Sequence, residues 1–143
     1  DQGFVSLWVW KHIKKEKLTY NGFGGKGSQI RDIVHIFDVC RLISLQIKKI
    51  NKINNITLNA GGGKKNAISL KNLTKLCQKI SFNKIKIYSK KITSNYDIPY
   101  YVTNNFKVKK IYGWYPKIKI LNIVQDVYKW MYFNKNILKK YIK

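Results

Sequence analysis

The stretch Gly22-Phe23-Gly24-Gly25-Lys26-Gly27-Ser28-Gln29-Ile30-Arg31-Asp32-Ile33-Val34-His35-Ile36-Phe37-Asp38 decides how the chain is read. Its first part is rich in glycine, the residue that lets a backbone turn sharply. Gln29 to Ile36 alternates, with Ile30, Val34 and Ile36 as its apolar members, the period of a strand. Leu18-Thr19-Tyr20 reads as a short strand that could pair with it as a hairpin. Asp38 has the chemistry of a helix N-cap, and Val39, Leu42, Ile43, Leu45 and Ile47 supply the buried side of a helix running to about Lys49. A strand end followed by a cap would also account for Asp32 and Asp38 on either side of His35.

Outward from this stretch, Phe4 to Ile13 is apolar on most faces, as a buried helix is, and Lys14 to Lys17 end it. Asn51 to Asn55 is a polar connector. Ile56-Thr57-Leu58-Asn59-Ala60 is a strand stopped by Gly61-Gly62-Gly63. Ser69 is placed to cap a helix with the stripe Leu70, Leu73, Leu76, Cys77 and Ile80. Lys84 to Tyr88 alternates lysine with Ile85 and Ile87, an edge-strand pattern. Tyr100 to Val102 is extended, Thr103 caps a short helix through Ile111, and Gly113 stops it. Pro116 fixes a turn, Ile120 to Tyr132 is an amphipathic helix, and Asn134 to Lys143 a helical tail. The order is that of an α/β or α+β fold, in one region spanning 1–143 with no internal repeat or linker.

The chain has 143 residues, enough for one core. A hydrophobic content of 45% excludes an intrinsically disordered tail. Two cysteines cannot make a disulfide framework, and no apolar run approaches the roughly 20 residues of a membrane span. The start at Asp1, without Met or a signal-like segment, reads as a processed chain or a fragment. The net charge of +23 suggests nucleic acid, yet 27 Lys stand beside only 2 Arg, and the lysines are scattered from Lys11 to Lys143. With 21 Ile and 14 Asn, this is the composition of an AT-rich genome, and the expectation is a solvated basic surface without specific nucleic-acid recognition.

Chemistry-bearing residues are few. His12 and His35 lack metal-ligand neighbours, so no metal site is expected. Cys40 and Cys77 fall on apolar faces and read as buried thiols. Gly61-Gly62-Gly63 lacks the spacing of a phosphate-binding loop and reads first as a tight turn. Arg31 is rare in this lysine-rich chain. Its fork could hold a phosphate by two parallel hydrogen bonds or pair with Asp32 or another neighbour.

Four segments in order resemble one family. Gly22 to Asp38 is similar to the GxGxQxRDxxHVxD stretch of the extended short-chain dehydrogenase/reductase enzymes that act on sugar nucleotides. Asn59-Ala60-Gly61-Gly62-Gly63 through Asn66-Ala67-Ile68-Ser69-Leu70 resembles their NxGGGxxNxxSL. Asp97-Ile98-Pro99-Tyr100-Tyr101-Val102-Thr103-Asn104 through Gly113-Trp114-Tyr115-Pro116 resembles DxxxYxxDxxxxxxxLGWxP. Asp1-Gln2-Gly3-Phe4-Val5 is similar to the EDQGWV of one group of epimerases within it.

The resemblance implies an α/β fold: the C-terminal substrate-binding part of an extended Rossmann-fold enzyme, namely its last sheet strand (Ile56–Ala60) and a small α/β lobe. The whole enzyme would be a cytoplasmic NAD-dependent nucleotide-sugar epimerase, possessing a substrate of the CDP-sugar class and homodimeric in many relatives, which inverts a carbon through a transient keto-sugar. NAD would be held by an N-terminal part carrying GxxGxxG and YxxxK. This chain shows neither motif, so it is expected to hold no catalytic or cofactor-binding residue. By position, Arg31 matches the arginine that reaches the sugar-nucleotide phosphates. Gln29, Gln2, Gly3 and Phe4 match substrate-contact positions, with Asp1 beside them. Asp32, His35, Asp38, Gly61–Gly63, Trp114 and Pro116 match framework positions. Phe4 replaces a usual Trp, and Ser94-Asn95-Tyr96 occupies a stretch where relatives often carry a second phosphate-binding arginine. The alternatives are a basic nucleic-acid-binding module or an inactive remnant of the epimerase.

Overall fold

The computed structural model describes residues 3–53, 55–95 and 97–141. In chain order the elements are α1 (Phe4–Lys14), β1 (Leu18–Asn21), β2 (Ile30–Asp32), α2 (Ile36–Lys48), β3 (Ala67–Ser69), α3 (Leu70–Ser81), β4 (Ile87–Lys90), β5 (Tyr100–Tyr101), α4 (Phe106–Tyr112), α5 (Ile120–Phe133) and α6 (Lys135–Tyr141). The chain forms two compact units. The first comprises Asp1–Gln29, Ser69–Pro99 and Leu121–Lys143, the second Ile30–Ile68 and Tyr100–Ile120.

In the first unit α1 packs on α3. Val5, Trp8, Val9 and Trp10 bury one helix, and Leu70, Leu73 and Cys77 the other, with Ile123, Val124 and Met131 of α5 in the same unit. Thr74 joins the helices to β1. Its hydroxyl accepts from Trp8 Nε1 at 2.9 Å and from the Tyr20 hydroxyl at 2.8 Å, and donates to the Leu70 carbonyl at 3.0 Å. Ser69 caps α3 as its position suggested, its side chain accepting from Asn72 N at 3.2 Å. β1 and β4 form a parallel pair with Leu18 opposite Ile87 and Asn21 opposite Lys90.

The hairpin expected between Leu18–Tyr20 and Gln29–Ile36 does not form. The strand is only Ile30–Asp32 and lies in a three-stranded sheet ordered β3-β2-β5. The reason lies in the intervening loop. Gly22, Gly24, Gly25 and Gly27 all hold positive φ, and Gly22 N donates to Lys90 O, so the loop continues along β4 rather than folding back. The lysine-rich edge strand begins later than expected, at Ile87.

In the second unit β2 and β5 run parallel, Ile30 opposite Tyr100 and Arg31 opposite Tyr101. Leu42, Val108, Tyr112 and Trp114 form the core, with Val34, Leu45, Ile53, Leu58 and Ile111 packed against it. α2 begins three residues earlier than expected. His35, not Asp38, is its N-cap, with Nδ1 accepting from Phe37 N at 3.1 Å. Asp38 lies inside the first turn and is 2% exposed. Its Oδ1 accepts from Arg41 Nη2 at 2.7 Å, and its Oδ2 from the amides of Lys117 at 2.9 Å and Ile118 at 3.0 Å. Its carbonyl accepts from Trp114 Nε1 at 2.8 Å. The carboxylate therefore ties a helix to a loop almost eighty residues away, which no local pattern encodes.

Two further expectations change. Thr103 does not cap α4; the helix starts at Phe106, whose amide donates to Asn104 Oδ1 at 2.9 Å, and Asn105 is the N-cap residue. Gly113 does stop it, at φ 65°, with its amide on Lys109 O. Ile56–Ala60 forms no ladder among the described residues. Leu58 packs on the core while Ile56 is exposed.

Burial pushes the Asp38 carboxyl up, and the hydrogen bonds from Arg41, Ile118 and Lys117 outweigh it, holding the pKa below its ordinary value. A depressed carboxylate stabilises the fold above the unfolded value of about 3.9, and that contribution is lost as pH falls through the folded value. Asp38→Ala leaves two amides unanswered and Arg41 with only the Tyr115 carbonyl among the described residues, and urea unfolding at neutral pH should show a loss of ~3–5 kcal/mol, shrinking below about pH 4.

Candidate functional site

Arg31 stands on β2, in mid-ladder, and is half-buried. Its Nη1 donates to the Ile30 carbonyl at 2.8 Å. It makes no ion pair among the described residues. Asp32, the neighbour that could have paired with it, turns its Oδ2 to the amide of Gly63 at 2.7 Å. A guanidinium has five N–H donors in a rigid fork, so most of this fork has no partner among the described residues. A strand residue is also held more firmly than a loop residue.

The other sequence-derived positions are occupied differently. Gln29 belongs to the first unit. Its Nε2 donates to Asn21 O at 2.7 Å and its carbonyl accepts from Leu70 N at 3.3 Å, so it closes the glycine loop. Its Oε1 is buried with no partner among the described residues. Gly3 is the N-cap residue of α1, exposed and with open space beside it, and its carbonyl accepts from Leu7 N at 3.2 Å. Phe4 opens α1 and is half-buried. Asp1, Gln2 and Tyr96 lie outside the described residues. Beside Tyr96, Asp97 N donates to Ser94 O at 3.0 Å.

The glycine triplet is a packing device, as its spacing first suggested. A Cβ on Gly62 would strike the Ile33 backbone, and one on Gly61 the Thr103 side chain and Asp32 Oδ2. Asn105 clamps Gly61 from both sides: Oδ1 accepts from its amide at 3.0 Å and Nδ2 donates to its carbonyl at 2.9 Å. Asn66, 3% exposed, donates to Ile118 O at 2.8 Å and accepts from Ile33 N at 3.0 Å. Asn66, Asn105 and Thr74 were invisible as polar hubs in the sequence, because their partners lie 44 to 66 residues away.

The titratable groups elsewhere serve structure. His12 is fully buried, and its Nδ1 donates to Trp8 O at 2.6 Å. Burial lowers its pKa, with the Trp8 bond opposing, so the ring is neutral at pH 7. Burial pushes the Cys77 thiol up to about 12. Cys40, expected to be buried, is exposed on α2, because the core side of that helix is carried by Leu42 and Leu45 instead. No cluster of His, Cys, Asp or Glu among the described residues could hold a metal. No helix among them is long and apolar enough to cross a membrane.

No protein-family profile matches the chain. It is 26% identical over 132 residues to the CDP-paratose 2-epimerase of Salmonella typhi, covering 91% of this chain and 39% of that protein. Among solved structures, the UDP-glucose 4-epimerase of Thermotoga maritima, with UDP-glucose, matches with a TM-score of 0.73 at 21% identity, over 94% of this chain and 40% of that one. An epimerase of Methanothermobacter thermautotrophicus matches with a TM-score of 0.79 at 13% identity, over 98% and 40%. The chain thus has the fold of sugar-nucleotide epimerases over about two fifths of the length of the relatives it matches.

Gly62→Ala forces the triplet off the Ile33 backbone and should cost at least ~1–3 kcal/mol in a denaturant titration. With a thiol reagent at pH 8, Cys40 should react at once and Cys77 only at the rate of unfolding. Two fast thiols would contradict the burial of Cys77.

Proposed function

We propose that the chain is the C-terminal, substrate-binding portion of an NAD-dependent nucleotide-sugar epimerase, and that Arg31 holds the diphosphate of a CDP-sugar. The observation that carries this reading is the similarity to CDP-paratose 2-epimerase across 91% of the chain. The epimerase fold supports it, as does a half-buried arginine whose fork is mostly without partners among the described residues.

The chemistry follows from the guanidinium. Phosphate oxygens accept two parallel N–H bonds from Arg, fixing the orientation of the diphosphate as well as its position. Partial burial strengthens each bond by removing competing water. Orientation is this chain's share of the reaction: a sugar tethered by its diphosphate is presented repeatedly in one geometry. Gln29, Gln2, Gly3 and Phe4 are proposed as further substrate contacts, on the sequence resemblance.

NAD, which supplies the hydride chemistry of such enzymes, does not fit the glycine turns of this chain. Beside Gly61 and Gly62 the space is filled by Thr103, Asp32 and Ile33, and beside Gly25 and Gly27 by Ser89 and Tyr20. In this reading the cofactor is held by another part of the enzyme.

Titration calorimetry of the chain with CDP and CDP-glucose at about 150 mM salt tests the proposal. Losing a charged hydrogen-bonding group is worth about 2 kcal/mol. Arg31→Ala should therefore weaken binding more than tenfold while leaving the circular dichroism unchanged, and Arg31→Lys should restore only part. Wild-type protein that ignores both ligands, or an Arg31→Ala protein that binds as tightly, would overturn the reading.

A further inference from the structure

Helical bonding carries through the junction of α5 and α6. Asn134 N donates to Trp130 O at 3.1 Å, and Leu138 N to Asn134 O at 3.0 Å. One side of α5 is buried through Ile123, Val124 and Met131. A second apolar stripe lies open: Trp130 is 58% exposed, Phe133 82% and Ile137 60%. Their spacing of three and four keeps them on one helical face. Tyr132 widens the stripe, its ring edge-on to Phe133 with centroids 6.1 Å apart. Lysines frame it. Lys129, Lys139 and Lys140 are exposed, and Lys135 Nζ lies 4.5 Å from the Tyr132 ring centroid. Asp126, one turn before Trp130, is the last acidic side chain in the sequence.

Apolar surface gathered in this way marks a face that is covered in use. Its residue types name the cover. Trp and Tyr pair an apolar body with a polar tip, and Lys lays its stem along apolar surface while its charge reaches outward. A helix with an aromatic stripe between lysines lies in the plane where hydrocarbon meets headgroups. We propose that α5 and α6 rest on the surface of an anionic lipid bilayer. Trp130, Phe133 and Ile137 enter the acyl boundary, and the four lysines meet headgroup phosphates. No helix among the described residues can span a membrane, so the contact is peripheral. Charge complementarity selects this occupant. The chain carries +23, so a second copy would set lysines against lysines. Nucleic acid answers the charge, but it offers no hydrocarbon to Ile137, and neither helix carries an arginine to read bases. The proposal does not depend on the role of Arg31.

Vesicle binding by the 143-residue chain tests it, with equal parts phosphatidylglycerol and phosphatidylcholine against phosphatidylcholine alone, at about 150 mM salt. Trp8, Trp10 and Trp114 are at most 5% exposed, so Trp130 is the tryptophan whose emission a surface can alter. The chain should sediment with the anionic vesicles only. Its emission should shift to the blue and be quenched by brominated acyl chains. Phe133→Ala with Ile137→Ala keeps every charge and should weaken binding at least tenfold, with circular dichroism and CDP affinity unchanged. Lys139→Gln with Lys140→Gln should weaken it about tenfold. Lys107→Gln with Lys110→Gln removes the same charge from α4 and should change it less than about twofold. Several results would overturn the proposal. One is failure to bind the anionic vesicles. Another is binding with unaltered emission, or binding that both lysine pairs weaken equally and the apolar pair does not, which is diffuse charge alone. Quenching of Trp130 by a single-stranded oligonucleotide, without a shift on vesicles, would assign the face to nucleic acid. A dimer dissolved by the Phe133 and Ile137 substitutions would assign it to a second copy.

Discussion

The carboxylate of Asp38 is the constraint on which the second unit depends. It is almost fully buried, and an ion of that kind is tolerated in a protein interior only when every oxygen is answered. Arg41 answers one oxygen and the amides of Lys117 and Ile118 the other. These partners fix where the chain must go after α4. Trp114 is set by the Asp38 carbonyl, and its ring closes the core beside Leu42, Val108 and Tyr112. Asn66 then reaches Ile118, so the turn after the glycine triplet is held by the same loop. Arg31 is placed by this chain of consequences: β2 leads through Ile33, bonded to Asn66, into the helix that carries Asp38.

Much of this was legible from residues alone. Helical periodicity placed α1, α3 and α5, Ser69 announced its own cap, and Gly113 its own stop. Each is a local signal, written within one or two turns. Failures fell where the deciding partner is distant. Asp38 has the composition of a cap, but its hydrogen bonds span 79 and 80 residues and His35 takes the local role. The hairpin failed for the same reason, since β1 and β2 each pair with strands far down the chain. Cys40 was misjudged because α2 has two apolar faces and periodicity cannot tell which one is covered.

At the candidate site the rarity of arginine drew attention to Arg31, and the structure shows the environment that composition could not: a strand position, half burial and a hydrogen bond to the preceding carbonyl. Lysines by contrast lie wherever the surface allows them. Two flank Tyr88, with Nζ 5.6 Å and 4.9 Å from the ring centroid, and another covers Tyr132 at 4.5 Å. Their aliphatic stems shield aromatic surface while the charge stays in water. This is how so cationic a chain keeps a conventional interior.

The interleaving of the two units has a consequence for the order of synthesis. The second unit is assembled from Ile30–Ile68 and Tyr100–Ile120, and the first cannot be completed without Leu121–Lys143. As the chain emerges from its N-terminus, the second unit has all its residues while the first still lacks Ile123, Val124 and Met131 of its core. α1, with two tryptophans and no finished core to enter, must wait for α5. The late-made α5 is therefore a timing element, and truncations within it should harm α1, which is translated well before it.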